Sequence, residues 1–273
     1  MASDAPGSTF DAAWLELREA ADHRSRAEAL VGPLDAWLLA FGRGRVLDLG
    51  AGTGSNLRWL APRLTAPTRW TLLDRDARLL ARARGSGARL LRGELAGEGI
   101  LAVQDADLVT ASALLDLVSA AWLARLVDSA RAAGAAALFA LTWDGTVEWR
   151  LRGAEETDAG DALVLDALRV HQERDKGLGP ALGPRAGEAA EEAFREAGFS
   201  TRSLPSPWRL GPADRALALG LLAGWETAAR EQLPRETRPV ASWAARRRAT
   251  LEGDDFELVV GHADLLALPP RAP

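Results

Sequence analysis

The chain is most constrained by residues 45–56, RVLDLGAGTGSN, followed some twenty residues later by residues 71–76, TLLDRD. Val46-Leu47-Asp48-Leu49 reads as a short buried strand. Gly50, Gly52 and Gly54 fill the turn behind it, and Ser55 and Asn56 start a helix that continues through Leu57, Trp59 and Leu60. Strand, glycine turn and helix N-terminus make one physical device. Backbone without side chains lets a ligand approach, and unpaired N–H groups face it. Asp74, at the end of the next strand, is spaced to accept hydrogen bonds from the hydroxyls of a ribose. The pair of stretches therefore implies a nucleoside-bearing ligand.

The rest of the sequence supplies the frame such a device needs. Residues 1–9 read as disordered, and residues 11–21 and 26–41 show apolar residues at three-to-four spacing, which predicts helices that cap a sheet edge or roof a ligand site. From Arg45 strands alternate with helices: strands at 45–49, 69–73, 88–92, 106–111 and 135–143, helices at 55–64, 76–84 and 119–132. Continuous apolar runs such as residues 136–140 suit strands buried on both faces, so the expectation is a parallel sheet of right-handed βαβ units. Beyond Trp143 the rhythm breaks. Asp144-Gly145 predicts a two-residue hairpin turn. Residues 158–175 predict an amphipathic helix with Leu163, Ala167, Leu168 and Val170 on one stripe, and a glycine- and proline-rich segment follows. A helix at 185–197 and a strand at 199–203 resume the core. A second excursion carries helices at 214–232 and 240–251, and residues 255–267 end the chain as a strand or hairpin. The implied organisation is an N-terminal cap over 1–44 and a core over 45–273, with insertions at about 144–184 and 203–253 forming an acceptor lid.

Composition narrows the chemistry. The 273 residues contain no cysteine, which removes disulfides, thiolate metal sites and cysteine nucleophiles; no metal-ligand spacing of other residues is present either. The net charge of −5 and the lack of a clustered basic segment argue against a nucleic-acid partner. No segment has the form of a signal peptide or a membrane span, so the expected location is the cytoplasm. Lys176 is the only lysine among many arginines.

The glycine turn has three readings: a purely structural tight turn, a dinucleotide site of the G-x-G-x-x-G kind, or a nucleoside site of another type. In the second reading Ser55 stands where the third glycine should allow close helix–strand packing. As to the third, LDLGAGTGSN with LLDRD resembles the first two signature motifs of the class I S-adenosylmethionine-dependent methyltransferases, and the resemblance extends over residues 45–141. It implies an α/β fold with a Rossmann-like, seven-stranded, mostly parallel sheet in the order 3-2-1-4-5-7-6. It further implies that Gly50, Ala51, Gly52, Gly54 and Asn56 lie under the methionine part of S-adenosyl-L-methionine and that Asp48 meets its amino group. Asp74, with Arg75, would hold the ribose, Gly93-Glu94-Leu95 the adenine, and Ser112 and Ala113 would lie beside the sulfonium. Alternatives within this resemblance are an RNA or ribosome-associated methyltransferase and a fold member that binds the cofactor as a binding module or cyclase-like catalyst.

The resemblance does not define an acceptor. A small molecule methylated on oxygen or nitrogen fits the insertions and the absence of a basic targeting segment. The candidate catalytic residues are Asp116, past the end of the fourth strand, and the cluster HQERDKG, in which His171 and Asp175 are spaced to share a helical face and Lys176 follows. His23 is expected on the surface and His262 as a structural residue of the last strand. Trp14, Trp37 and Trp122 fit the core. Trp143, Trp149 and Trp208 lie in or near the excursions, where they could wall a pocket, though burial is the better expectation for any one of them.

Overall fold

The computed structural model describes residues 11–270; the expected disorder of residues 1–9 lies outside them. After helices α1 (Ala12–Ser25) and α2 (Val31–Ala40), the chain enters β1 (Arg45–Leu49), α3 (Ser55–Leu60), β2 (Arg69–Asp74), α4 (Ala77–Arg82) and β3 (Arg89–Arg92). A short α5 (Ile100–Val103) leads to β4 (Leu108–Ser112), α6 (Ala120–Ala133) and β5 (Ala136–Leu151). Next come β6 (Ala154–Glu155), α7 (Asp161–Gln172), α8 (Ala186–Glu196) and β7 (Ser200–Pro205). The chain closes with β8 (Trp208–Leu210), α9 (Arg215–Gln232), α10 (Thr237–Glu252) and β9 (Phe256–Leu268).

The sheet runs β3-β2-β1-β4-β5-β9-β7, parallel from β3 to β5 and antiparallel where β9 inserts between β5 and β7. This is the expected Rossmann-like order, with β9 as the antiparallel strand of the family's topology and β7 at the edge. The sheet has nine strands rather than seven, because β6 pairs with β5 and β8 with β9. Side chains alternate across it: Leu47, Leu49 and Val109 pack on one face with α6 and α8, while Val46, Leu72 and Leu108 pack on the other with α2 and α3. Leu72, Leu73 and Leu108 are fully buried, and truncating any of them to alanine costs about 2–5 kcal/mol.

The excursions differ from expectation in ways with a clear cause. Asp144-Gly145 does not turn the chain back. β5 runs straight through it, and residues 144–146 bulge out between the pairs Trp143↔His262 and Val147↔Val260. The partner strand β9 holds the backbone on both sides of the bulge, so a hairpin has nowhere to form. The real hairpin is at Arg152-Gly153, both with positive φ, joining β5 to β6. In α7 the buried stripe is Val164, Ala167 and Leu168, whereas Leu163 and Val170 face solvent. The extended β5/β9 ribbon needs cover on its own, and α1, α7, α9 and α10 provide it in a third core around Trp143, Trp149, Trp208 and Trp243. Among the described residues no helix is long and apolar enough to cross a membrane.

Candidate active site

The glycine turn closes between α1 and β2. Gly52 has φ +53°, its N–H donates to Asp74 Oδ2 at 2.8 Å, and a Cβ there would stand 3.1 Å from Leu15 of α1. Gly54 has φ +81°, and a Cβ would meet Ala83 and Leu72 at 3.2 and 3.3 Å. Both are therefore glycine for steric reasons, but different ones. Gly50, Ala51, Gly52, Thr53, Ser55 and Asn56 line a cavity over the C-terminal ends of β1, β2 and β4, whereas Gly54 is turned to the packing between α3, α4 and β2. Of the residues expected under the methionine part, Gly54 alone does not line the cavity.

Asp48 is fully buried at the end of β1. One carboxylate oxygen accepts from Asn56 Nδ2 at 2.8 Å; the other, Oδ2, has no partner. Burial pushes its pKa up to about 7, with the charge of Asp74 acting the same way, against the Asn56 hydrogen bond and the Arg26 guanidinium. Asn56 is spent on this framework. Its amide donates to Asp48 and to Thr110 Oγ1 at 3.0 Å, and its oxygen accepts from Arg26 Nη1 at 2.9 Å. Arg26 in turn donates to Asp264 at 3.1 Å. Asn56 borders the cavity but braces Asp48 rather than offering a free group.

Asp74 is held by two backbone donors, Gly52 on Oδ2 and Asp76 on Oδ1, each at 2.8 Å. Each oxygen keeps a lone pair for a further donor. Beyond it, the loop after β3 is shaped by Glu98, whose carboxylate accepts the Glu94 N–H at 2.9 Å. Arg75, Gly93, Glu94 and Leu95 all line the cavity, as do Ser112, Ala113 and Leu114 after β4. Ala113 has φ +52°, a left-handed conformation costly for a residue with a Cβ, held by its N–H to Ala140 O at 2.8 Å.

The cavity encloses about 350 Å³, within the range of small-molecule clefts. Its other end is walled by Leu15, Arg18 and Asp22 of α1, by Leu117 and Val118, and by Lys176, Gly177 and Leu178. Arg18 and Asp22 escaped the sequence reading, since only their spacing of four on a helix marks them as a pair. In the structure Arg18 grips Asp22 through Nε at 2.9 Å and Nη2 at 3.1 Å. Asp116 lies in the 3-10 turn Leu115–Leu117, 7% exposed, with Oδ1 lacking a partner. Burial pushes its pKa up to about 6, against the charges of Arg18 and Lys176.

The HQERDKG cluster comes apart. α7 ends at Gln172, so Asp175 shares no helical face with His171; its Oδ1 caps the loop by accepting the N–H groups of Gly177 at 2.6 Å and Gly179 at 3.0 Å. His171 is turned to Glu231 of α9 at 3.3 Å and does not line the cavity, whereas Lys176 does. His23 is half-buried rather than superficial, with Nε2 3.0 Å from Ser55 Oγ, so it joins α1 to the start of α3. His262 is buried, with Nδ1 facing Val260 O at 3.0 Å and its ring 5.0 Å from that of Trp208; burial and the nearby Arg18 charge press its pKa down to about 3. Trp143, Trp149 and Trp208 are core residues. No tryptophan is in the cavity wall, which is aliphatic, polar and charged.

No protein-family model matches the chain, and no curated protein does. Solved structures match over most of its length. A candidate type II methyltransferase from Anaeromyxobacter dehalogenans aligns at a TM-score of 0.51 and 18% identity, over 90% of this chain and 98% of that one. A cyclopropane-fatty-acyl-phospholipid synthase-like protein from Lactobacillus casei aligns at 0.49 and 16%, over 96% and 95%. Phosphoethanolamine N-methyltransferase 2 of Haemonchus contortus, solved with S-adenosylhomocysteine, aligns at 0.39 and 15% over 86% of this chain; the chain spans about half (52%) of that protein's length. With the strand order and the glycine turn, the first of these shows that the chain has the Rossmann-like methyltransferase fold.

Proposed function

We propose that the protein is an S-adenosylmethionine-dependent methyltransferase acting on an oxygen or nitrogen of a small molecule. One observation carries this reading: a single cavity has nucleoside-binding features at one end and an unpaired buried carboxylate beside the other. The site fits the cofactor by its own chemistry. The orphaned Asp48 oxygen suits an amino group, the spare lone pairs of Asp74 suit two ribose hydroxyls, and Glu94 and Leu95 border the space for a base. When bound, the cofactor supplies a methyl group activated by a sulfonium.

Such a transfer needs alignment and a dry pocket more than proton chemistry. Ser112 and Ala113 border the reacting region, while α1 from one side and residues 176–178 from the other exclude water, so residues 11–44 and the first insertion serve as cap and lid. With the cofactor bound, these residues would hold the acceptor so that its lone pair is directed at that methyl group. The proton that the acceptor must lose passes to Asp116, whose pKa near 6 leaves it ionised at neutral pH and able to accept it. His171, outside the cavity, supports α7 against α9 and takes no part. The test is S-adenosylhomocysteine release on addition of a panel of small amines and alcohols. Acceptor-dependent release supports the reading. Tight cofactor binding with no release from any acceptor would make the protein a binding module instead.

A further inference from the structure

Beyond Asp22, two charged groups line the end of the cavity proposed for the acceptor, Arg18 and Lys176. A third, Asp116, lies close to both but is buried next to the wall rather than part of it, and the three are not equivalent. The Arg18 guanidinium is committed to Asp22 by two hydrogen bonds and lies 4.9 Å from the Trp208 ring centroid. Lys176 makes a single hydrogen bond, to the His171 carbonyl at 3.3 Å, and so keeps two of its three donors. Asp116 has a buried oxygen without a partner. The ammonium and the carboxylate act on each other through space, yet Asp116 Oδ1 is not satisfied by Lys176. A buried carboxylate oxygen without a partner is costly to leave unmet, and a half-buried lysine with open donors stands ready to bind an anion.

Their spacing is built into the backbone. Leu182 N–H donates to Val118 O at 2.8 Å, Ser119 bridges to Ala181, and Ala181 N–H donates to Glu173 O at 3.2 Å. The loop carrying Lys176 is therefore stitched to the segment carrying Asp116, and the Asp175 carboxylate sets its turn through Gly177 and Gly179. A positive group in the wall with a negative group fixed close by favours a molecule of the reverse polarity. The surrounding wall is Leu15, Leu117, Val118 and Leu178, with no aromatic ring among the described residues to stack on a flat acceptor.

Resting on the methyltransferase reading, we infer that the acceptor is a small aliphatic amino or hydroxy acid, its acidic group held by Lys176 and its N–H or O–H facing Asp116. Lys176 is then a specificity-determining residue, and its being the chain's only lysine matches a need for a compact point charge rather than a planar fork.

Binding tests this without requiring turnover. Protein saturated with S-adenosylhomocysteine is titrated calorimetrically with α- and ω-amino and hydroxy acids of two to six carbons, with the corresponding amides, and with analogues carrying phosphonate in place of carboxylate. At least one acid is expected to bind ten-fold or more tightly than its amide. The phosphonate arm reports whether the anchored group is a carboxylate or a phosphate-like anion. In Lys176→Gln the preference is expected to collapse to within two-fold. In Lys176→Arg part of it returns, and S-adenosylhomocysteine affinity stays within two-fold in both. If no acid exceeds its amide, or nothing in the panel binds, or Lys176→Gln keeps the preference, the inference is wrong. Acid binding without methyl transfer would leave it standing while sinking the enzymatic reading.

Discussion

The two ends of the cavity are made by different means. The end proposed for the nucleoside comes almost entirely from residues 48–95, consecutive βαβ units in which each strand delivers its last residues to the same edge of the sheet. Its ligand-facing groups are largely backbone, braced by Asp74 and Asn56. The end proposed for the acceptor is assembled from α1, the turn after β4 and the loop after α7; the charged groups that line it, Arg18, Asp22 and Lys176, and Asp116 buried beside them, are scattered through the chain. Topology fixes the first end, whereas side chains from α1, the turn after β4 and the first excursion shape the second. One fold can therefore keep a cofactor while its acceptor changes.

The largest expected effect falls on the acceptor end. Replacing Asp116 with Asn removes the proposed base at nearly constant shape and should lower kcat by about 10²–10⁴-fold. Cofactor affinity measured by calorimetry should not move. A loss of cofactor affinity in this variant would erase the separation between the two ends.

A smaller effect is expected at the nucleoside end and depends on pH. Asp48 has a pKa raised to about 7 when its Oδ2 is unpaired, and an ammonium group binds its ionised form. Affinity for S-adenosylmethionine should therefore rise with pH through 7, by about tenfold between pH 6 and pH 8. The groups that face Asp48 are Arg26, Asn56, Thr110 and Asp74, none of them a histidine. Asp48→Asn should bind more weakly and flatten the profile. A wild-type profile that is flat, or that falls with pH, would remove Asp48 from contact with the amino group.

The smallest effect is the most discriminating for the HQERDKG cluster. His171→Ala should leave kcat and KM within about two-fold of wild type, since an exposed contact to Glu231 contributes at most about 1 kcal/mol. A drop of ten-fold or more in initial-rate assays would put the ring back in the site.

The same contrast explains what could be read from the amino acids. The parallel strands, the glycine turn and the strand-end Asp74 were legible because each is a local pattern: an apolar run, a steric requirement, a fixed interval. The position of Asp116 just past β4 was legible in the same way, while its role is a proposal. The excursions were not, because long-range pairing overrides local preference there. Asp144-Gly145 has the chemistry of a hairpin turn, but β9 pairs with β5 on both sides and makes it a bulge. Asp175 sits one helical turn beyond His171 in sequence, yet α7 stops at Gln172 where the loop is drawn onto Val118 and Ser119. Tryptophans near the excursions fill a third core that exists only because β5 and β9 outrun the parallel sheet. Arg18 and Asp22 were not singled out, because an interval of four on a helix is common and nothing local says that this face of α1 meets the cavity.

The account rests most on Asp74 as the ribose ligand at the nucleoside end. Calorimetric titration of S-adenosylmethionine into the wild type and into Asp74→Ala tests it directly. The expected result is one-to-one binding to the wild type and a loss of about 1.5–3 kcal/mol in the variant, the scale of lost charged hydrogen bonds, with the fold intact by circular dichroism. Equal affinity in the two proteins, or no binding to the wild type, would contradict it.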